Sequence, residues 1–377
     1  MLRTLPAESV QCCVTSPPYW GLRDYGEPGQ LGLEPTPEEY ISKMVAIFAE
    51  VRRVLRDDGV LFLNLGDSYA SDMKGSGGIK NSTLNAARDE HGWLAEDGHS
   101  QPRMKIRKLD HGLKPKDLCG IPWRVALALQ ADGWYLRSDI IWHKPNPMPE
   151  SVTDRPTKAH EYIFLLTKSA RYFWDADAVA EASTYPGDNR ASRTDTRKTA
   201  DPMCNDGGSR ARTGKPTGNT RNIRSVWTIA TRPLKEAHFA CFPPEIPEKC
   251  IKAGSSEKGC CPECGTPWVR LVERTAMKVR PSESRAETDA QGLRTQARGT
   301  MTEAPTSRTV GWGADCKCSE AKPVPCIVID PFMGAGTVAM VAESLNRSWI
   351  GIELNPEYVE MIKRRVSGPL FAGEVSQ

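Results

Sequence analysis

Short apolar runs alternate with segments of helical periodicity along much of the chain. Residues 10–14 form an apolar run, and the next apolar residues recur at helical spacing: Ile41, Met44, Val45, Phe48, Val51 and Leu55. A capping box, Thr36-Pro37-Glu38-Glu39, starts this helix, and Asp57-Asp58-Gly59 is expected to end it. Another apolar run follows at 60–65. A strand, a helix and a strand in this order predict the α/β class, a parallel sheet covered by helices.

The same alternation continues to the end of the chain. It predicts a helix from Pro122 to Gly133, strands at 135–142 and 160–166, a helix at 248–253, and two late strands, at 326–330 and 349–352, each followed by a helix. A chain of 377 residues has room for one large α/β domain with insertions, or for two domains.

The first strand runs into a turn of unusual chemistry, Thr15-Ser16-Pro17-Pro18-Tyr19-Trp20. Two prolines fix the backbone between a hydroxyl residue and two aromatic rings. An exocyclic amino nitrogen on a nucleobase is a poor nucleophile, because its lone pair is delocalised into the ring. The Ser16 hydroxyl and the Pro17 carbonyl could accept its two hydrogens and aim the lone pair at an electrophile. Tyr19 could stack on a base swung out of the helix. Taken alone, such a segment is more often only a proline-rich turn.

A second motif lies near the other end of the chain. A strand leads into a glycine turn and a helix, and Glu353 ends the following strand. Glycines allow the backbone to approach a nucleotide, and an acidic residue at this place can accept its ribose hydroxyls. The candidate residues of this unit are Asp330, Pro331, Phe332, Gly334, Gly336, Thr337 and Glu353.

Together the two motifs resemble those of the DNA amino-methyltransferases, which act on cytosine N4 or adenine N6. The resemblance rests on Ser16-Pro17-Pro18-Tyr19 and on Asp330-Pro331-Phe332-Met333-Gly334-Ala335-Gly336-Thr337. It implies a Rossmann-like sheet, S-adenosylmethionine as methyl donor and double-stranded DNA as substrate. It also implies that Phe239 and Asn355 line the cofactor pocket. The catalytic motif precedes the cofactor motif, as in the circularly permuted beta group.

The resemblance further implies direct, in-line methyl transfer without a covalent enzyme intermediate. Serine in the first position of the turn is more typical of cytosine-N4 enzymes, so N4 of cytosine is the expected target. Adenine N6 stays open as an alternative. In the family, a hairpin frames the pocket for the base, and Trp142, Lys144 and Asn146 are the corresponding rim candidates here.

Composition locates the expected DNA contacts. The net charge is only +3, so a DNA-binding surface must be local. Residues 184–235 hold 11 Lys and Arg against 4 Asp, interleaved with small polar residues, which suits phosphate contacts. We expect a target-recognition insertion at 176–235, between a catalytic half at 1–175 and a cofactor half at 236–377. The polar stretch at 69–117 is either a mobile DNA-clamping loop or plain disorder.

The twelve cysteines indicate metal binding rather than a disulfide framework. Cys261 and Cys264 have the spacing of a zinc knuckle, and Cys316 and Cys318 could complete a four-thiolate site. Cys260 could replace either member of the first pair. We therefore expect a structural zinc in an insertion at 256–322, because a segment so poor in apolar residues needs a metal to fold.

Several rival functions each fit part of the sequence. A nicotinamide dehydrogenase would leave the Ser-Pro-Pro-Tyr turn unexplained. A carbon-5 cytosine methyltransferase needs a cysteine nucleophile that follows a proline. This dipeptide occurs only at Pro325-Cys326, at the start of the expected cofactor strand rather than at a catalytic turn. An inactive, zinc-stapled DNA-binding protein is the alternative of another class. No apolar run reaches membrane-spanning length, and we expect a cytoplasmic protein of bacterial or phage origin. A restriction endonuclease that shares its DNA site is the candidate partner.

Overall fold

The computed structural model describes residues 1–22, 24–70, 112–182, 220–232, 242–274, 278–280, 300–303, 307–318 and 322–366. Most of the predicted loop at 69–117, much of the basic segment at 184–235, and Phe239 lie outside these residues. The described chain divides into two units, one made of residues 1–175, 224–267 and 318–377 and the other of residues 176–223 and 268–317.

Thirteen strands and five α-helices, with a 3-10 helix at Leu2–Thr4, form the described secondary structure. The strands are β1 (Val10–Thr15), β2 (Leu55–Leu65), β3 (Tyr135–His143), β4 (His160–Thr167), β5 (Glu181–Ala182), β6 (Thr220–Arg221), β7 (Val226–Thr228), β8 (Trp268–Arg274), β9 (Lys278–Arg280), β10 (Thr300–Glu303), β11 (Ser307–Ala314), β12 (Ile327–Asp330) and β13 (Ser348–Gly351). The α-helices are Pro37–Val54, Ile121–Ala131, Glu245–Gly254, Thr337–Ser344 and Pro356–Arg365. None of the helices in the described part of the chain is both long and apolar enough to span a bilayer.

The first unit is built on a mixed seven-stranded sheet in the order β13-β12-β1-β2-β4-β3-β7. Strands β13, β12, β1 and β2 are parallel to one another, whereas β4 is antiparallel to both β2 and β3. From β1 the chain moves to β2 on one side, and from β12 it moves to β13 on the other. The strand order therefore reverses between β1 and β12, and such a switch point is where open α/β sheets bind their ligands.

Apolar side chains on both faces of the central strands form the core. Helix Pro37–Val54 buries Tyr40, Met44, Phe48, Val51 and Val54 against this core. Thr36 caps the helix, since its hydroxyl accepts from the Glu39 N–H at 3.2 Å. The predicted capping box is thus partly confirmed.

One predicted boundary was wrong. The helix was expected to extend to Leu55 and end at Asp57-Asp58-Gly59, but it ends at Val54, and Leu55 already belongs to β2. Leu55 is fully buried and pairs with Val10 of β1. Pairing with the neighbouring strand therefore decides the conformation of a residue whose spacing also suits a helix.

The second unit contains three two-stranded antiparallel sheets, β5 with β6, β8 with β11 and β9 with β10. In the β8–β11 ribbon, the Arg270 guanidinium lies 4.5 Å from the centroid of the Trp312 ring. This cation–π contact joins opposite residues of the two strands, which the register pairs directly.

Candidate active site

The two motifs meet at the carboxyl ends of β1 and β12. The two strands are parallel neighbours, with Cys12 opposite Val328 and Cys13 opposite Ile329. The Thr15 hydroxyl donates to Asp330 Oδ1 at 2.6 Å, and both residues are buried. The prediction that residues 314 positions apart would become neighbours (Asp330 and Ser16, 330 minus 16) is confirmed at the level of their strands.

Asp330 holds the start of the glycine loop. Its Oδ1 also accepts from the Phe332 N–H at 3.0 Å. Burial, together with the smaller effect of the Glu353 carboxylate, raises the pKa of the Asp330 carboxyl to about 7, against the lowering effect of the Thr15 and Phe332 hydrogen bonds. Its protonation state is therefore sensitive to pH near neutrality.

Glu353 organises the loop from the neighbouring strand. Its Oε2 accepts from the Gly334 N–H at 2.7 Å, and its Oε1 accepts from the Leu354 and Asn355 N–H groups, both at 2.9 Å. Burial raises the pKa of Glu353, although these backbone donors oppose the shift. A carboxylate has about four lone-pair sites, so one acceptor position is left for a ligand.

The remaining residues of this unit shape the loop. Gly334 and Gly336 have φ of 52° and 77°, a conformation that favours glycine, and Gly336 ends the turn before helix Thr337–Ser344. Asn355 was expected in the cofactor pocket. In the structure its side chain accepts from the Glu357 and Tyr358 N–H groups and caps the last helix.

The Ser16–Tyr19 turn is held by a hydrogen bond to its second proline. The Tyr40 hydroxyl, from helix Pro37–Val54, donates to the Pro18 carbonyl at 2.9 Å. No N–H or O–H group of the described residues donates to the Pro17 carbonyl. The Pro17 carbonyl, which the sequence predicts to accept an amino hydrogen of the base, therefore keeps its acceptor capacity.

Tyr19 is fixed by a polar cluster that includes Asn64 of β2 and Glu161 of β4. Its hydroxyl lies 2.7 Å from Glu161 Oε2 and 3.2 Å from Asn64 Oδ1, and the Ser16 hydroxyl donates to it at 3.4 Å. Asn64 Nδ2 donates to Glu161 Oε2 at 3.2 Å, and Lys144 forms an ion pair with the same carboxylate. Burial raises the pKa of Tyr19 well above its usual value, and the Glu161 carboxylate raises it further.

Gly66, just beyond β2, leaves room for the Tyr19 ring because it has no side chain. A Cβ on Gly66 would lie 2.4 Å from Tyr19 Cε2 and 2.8 Å from Cδ2. No other residue type fits there without displacing the ring, because these distances are far below van der Waals contact.

Asn64 and Glu161 were not among the predicted site residues. Asn64 is a polar residue inside the otherwise apolar run Leu61-Phe62-Leu63-Asn64-Leu65, whereas Glu161 follows His160 at the partly buried start of β4. A polar side chain in a buried strand needs a partner, and this signal could have identified Asn64 from sequence but not Glu161.

The predicted pocket rim has a mixed outcome. Lys144 lies beside the site, in its ion pair with Glu161 and 4.4 Å from the centroid of the Trp142 ring. Trp142 itself is buried, and its indole N–H donates to the Ile229 carbonyl at 2.8 Å. Asn146 exchanges hydrogen bonds with the Thr231 backbone. Only Lys144 of the three is thus connected to the catalytic turn.

Four of the cysteines converge as predicted. The Sγ atoms of Cys261, Cys264, Cys316 and Cys318 all lie within 4.8 Å of one another. Cys260 is not one of the four, because its backbone pairs with Val324 and its thiol faces the Pro325 carbonyl at 3.8 Å.

An open α/β sheet that sets the Ser-Pro-Pro-Tyr turn beside a glycine loop at its switch point is the arrangement of a class of protein, the S-adenosylmethionine-dependent methyltransferases. Comparison with known proteins agrees with this class. The family model described as DNA methylase, which covers the N6 and N4 amino-methyltransferases, matches residues 10–261 and 325–364.

Curated relatives match almost the whole chain. The Type II methyltransferase M.XycI of Xanthomonas campestris pv. cyanopsidis is 39% identical over 370 residues, 98% of this chain and 85% of that protein. M.Cfr9I of Citrobacter freundii is 37% identical over the same shares of both proteins. Among solved structures, the PvuII DNA methyltransferase (cytosine-N4-specific) has a TM-score of 0.50 at 16% identity and covers 98% of this chain and 84% of that chain, which shows a common fold. The chain belongs to the N6/N4 DNA methylase family and is a DNA methyltransferase.

Proposed function

We propose that the protein methylates N4 of cytosine in double-stranded DNA at a specific site. The observation that carries this proposal is the parallel pairing of β1 with β12, reinforced by the Thr15–Asp330 hydrogen bond at 2.6 Å. This pairing supports the proposal because it brings Ser16, which we expect to hold the amino group, next to the loop that we expect to bind the methyl donor. The choice of cytosine rests on serine at position 16, and adenine N6 is the alternative.

The residues of the glycine loop fit S-adenosylmethionine, the methyl donor that the family uses. Glu353 retains an acceptor position for a ribose hydroxyl, and a Cβ on Gly334 would meet nothing closer than the Phe332 carbonyl oxygen at 3.9 Å. The backbone at Gly334 is therefore open to a ligand. When bound, the donor supplies an electrophilic methyl group on a sulfonium.

The turn would activate the target nitrogen by position rather than by strong base catalysis. The Ser16 hydroxyl and the Pro17 carbonyl accept the two amino hydrogens, so that the nitrogen lone pair points at the methyl carbon. Transfer is direct and in line. The base reaches this turn by leaving the DNA stack, and the Tyr19 ring lies against it. Tyr40, which holds the Pro18 carbonyl, keeps the turn rigid.

Nucleoside mass spectrometry tests the proposal. Purified protein is incubated with DNA and labelled S-adenosylmethionine, and the DNA is digested to nucleosides. We expect labelled N4-methylcytosine. Labelled N6-methyladenine would keep the fold and mechanism but replace the base. Cofactor binding without a labelled nucleoside would favour the inactive DNA-binding protein instead.

We further propose that residues 176–235 contain the target-recognition region, between the halves at 1–175 and 236–377. Its charge supports this role, since the excess of Lys and Arg at 184–235 suits DNA phosphates. A restriction endonuclease that cuts the same site is the expected genetic partner. Methylation protecting one sequence from a matching nuclease in a plasmid assay would identify that site.

The cysteine cluster is proposed to bind a structural zinc. Thiolates around tetrahedral zinc, at Zn–S distances of about 2.3 Å, lie roughly 3.8 Å apart, which fits four sulfurs within 4.8 Å of one another. Within the described part of the chain this group consists of cysteines alone, which is typical of structural rather than catalytic zinc. Elemental analysis should find one zinc per chain in the wild type and none after Cys261→Ser and Cys264→Ser are combined. A full zinc content in that variant would exclude these ligands.

A further inference from the structure

Methyl transfer to an amino group leaves a proton to be removed. The nitrogen forms a bond to carbon while it still carries two hydrogens, so it becomes cationic and must lose one of them. The turn itself offers only neutral groups, the Ser16 hydroxyl and the Pro17 carbonyl. The proton therefore needs a path from the turn to a base.

A hydrogen-bonded chain leads away from the turn. The Ser16 hydroxyl donates to the Tyr19 hydroxyl oxygen at 3.4 Å, and the Tyr19 hydroxyl donates to Glu161 Oε2 at 2.7 Å. The second bond has the length of a strong, charge-assisted hydrogen bond, whereas the first is long. Catalytic hydrogen bonds are often long in the absence of substrate and shorten when it binds.

Three neighbouring groups, Asn64, Asp67 and Tyr19, cannot serve as the final proton acceptor of this hydrogen-bonded chain. Asn64 is an amide, and its Nδ2 is committed to Glu161 and to the Tyr162 carbonyl. Asp67 is also close in sequence to Asn64, but its carboxylate accepts three backbone N–H groups, those of Ser68, Gly120 and Ile121. It caps helix Ile121–Ala131 instead. Tyr19 stays protonated, since burial raises its pKa, so it can pass a proton on but not retain one.

We propose that Glu161 is the terminal proton acceptor of the reaction and that the proton reaches it through the hydroxyls of Ser16 and Tyr19. This inference rests on the proposed function. As the N–C bond forms and the S–C bond breaks, an amino proton moves to Ser16 Oγ. The Ser16 proton moves to the Tyr19 oxygen, and the Tyr19 proton moves to Glu161 Oε2. The charges balance: the sulfonium becomes a neutral thioether, the amine leaves neutral, and the carboxylate becomes a carboxylic acid.

Two features of the structure suit Glu161 to this role. Its side chain is only 15% exposed, yet Lys144 pairs with Oε1 and leaves Oε2 for Tyr19. The Asn64 amide donates to the same Oε2 at 3.2 Å and so fixes the carboxylate against the Tyr19 hydroxyl. The relay is thus held by strands β2 and β4 rather than by a loop.

Single-turnover methylation of DNA by the full-length protein tests the relay. The variants are Glu161→Gln, Tyr19→Phe and their combination, with Glu50→Gln as a control. Glu50 pairs with Arg53 on helix Pro37–Val54 and has no contact with the site. Binding of DNA and of S-adenosylmethionine is measured for each variant by titration. The combination Glu161→Gln with Lys144→Met removes the ammonium that the first change leaves without its ion-pair partner.

We expect Glu161→Gln and Tyr19→Phe each to slow methyl transfer by about 100-fold or more, the usual worth of a general base, with both affinities within about threefold of the wild type. The combined variant should be no slower than the slower single variant, because both changes interrupt the same proton relay. The rate of Glu161→Gln should also rise with pH, since hydroxide can replace the lost base. A change in packing alone would not produce that pH dependence.

Two results would overturn the relay alone. In one, Glu161→Gln, with or without Lys144→Met, transfers methyl at the wild-type rate, which means that the proton passes directly to water. In the other, the two single effects multiply in the combined variant. If the wild-type protein yields no methylated nucleoside, the proposed function and the relay fall together.

Discussion

Replacing Gly66 by alanine tests whether the position of the Tyr19 ring limits catalysis. The added Cβ would lie 2.4 Å from Tyr19 Cε2, whereas ordinary contact begins at 3.4 Å. The ring or the strand end must therefore move by about 1 Å, and a misplacement of that size can cost roughly 100-fold in rate. The φ of Gly66 is not in the left-handed region, so alanine itself causes no backbone strain.

The ring cannot move freely, because the Tyr19 hydroxyl is held by Glu161 at 2.7 Å. We expect Gly66→Ala to cost about 1–3 kcal/mol of stability, as overpacking usually does, and to slow single-turnover methylation by about 100-fold. S-adenosylmethionine affinity, measured by calorimetry, should stay close to that of the wild type. Gly311→Ala is the matched control, since its Cβ would meet only Leu271 Cδ1 at 3.7 Å. A fully active Gly66→Ala protein with wild-type stability would refute this reasoning.

Three further predictions concern the residues of the two motifs. Ser16→Ala should lower turnover by about 100-fold, the cost of removing one placed hydrogen-bond partner, while donor affinity survives; loss of both in the same titration and rate measurements would contradict its role. Glu353→Ala should weaken donor binding more than Glu353→Gln, because alanine also releases the Gly334 N–H, and unchanged affinity in calorimetry would remove it from the ribose site. Asp330→Asn should stabilise the donor-free protein at pH 7.5 but not near pH 4. The Asp330 carboxyl has a pKa of about 7 in the folded protein and of about 3.8 in the unfolded chain. The wild type therefore loses stability as the pH rises between these two values, by up to about 4 kcal/mol. Urea unfolding of both proteins at several pH values measures the difference, and a difference independent of pH would contradict the shift.

Much of the fold was predictable because its signals are local. Apolar runs of strand length and the Thr36 cap each depend on a few neighbouring residues, and the structure places elements at all of them. The ends of these elements depend on tertiary contacts as well. Leu55 fits the helical period of the preceding segment, but its pairing with Val10 assigns it to β2.

The amino-acid sequence by itself determined the two motifs, their order and the class of chemistry, because each motif is a short segment whose residue types and spacing are read directly from the chain. It also determined the four cysteines that converge. Only the tertiary structure decided what surrounds Tyr19. Asn64 and Glu161 are 45 and 142 residues away from it in the chain and reach its hydroxyl because β4 pairs with β2 in one particular register. No periodicity records such a register, since it is set by the packing of the whole sheet.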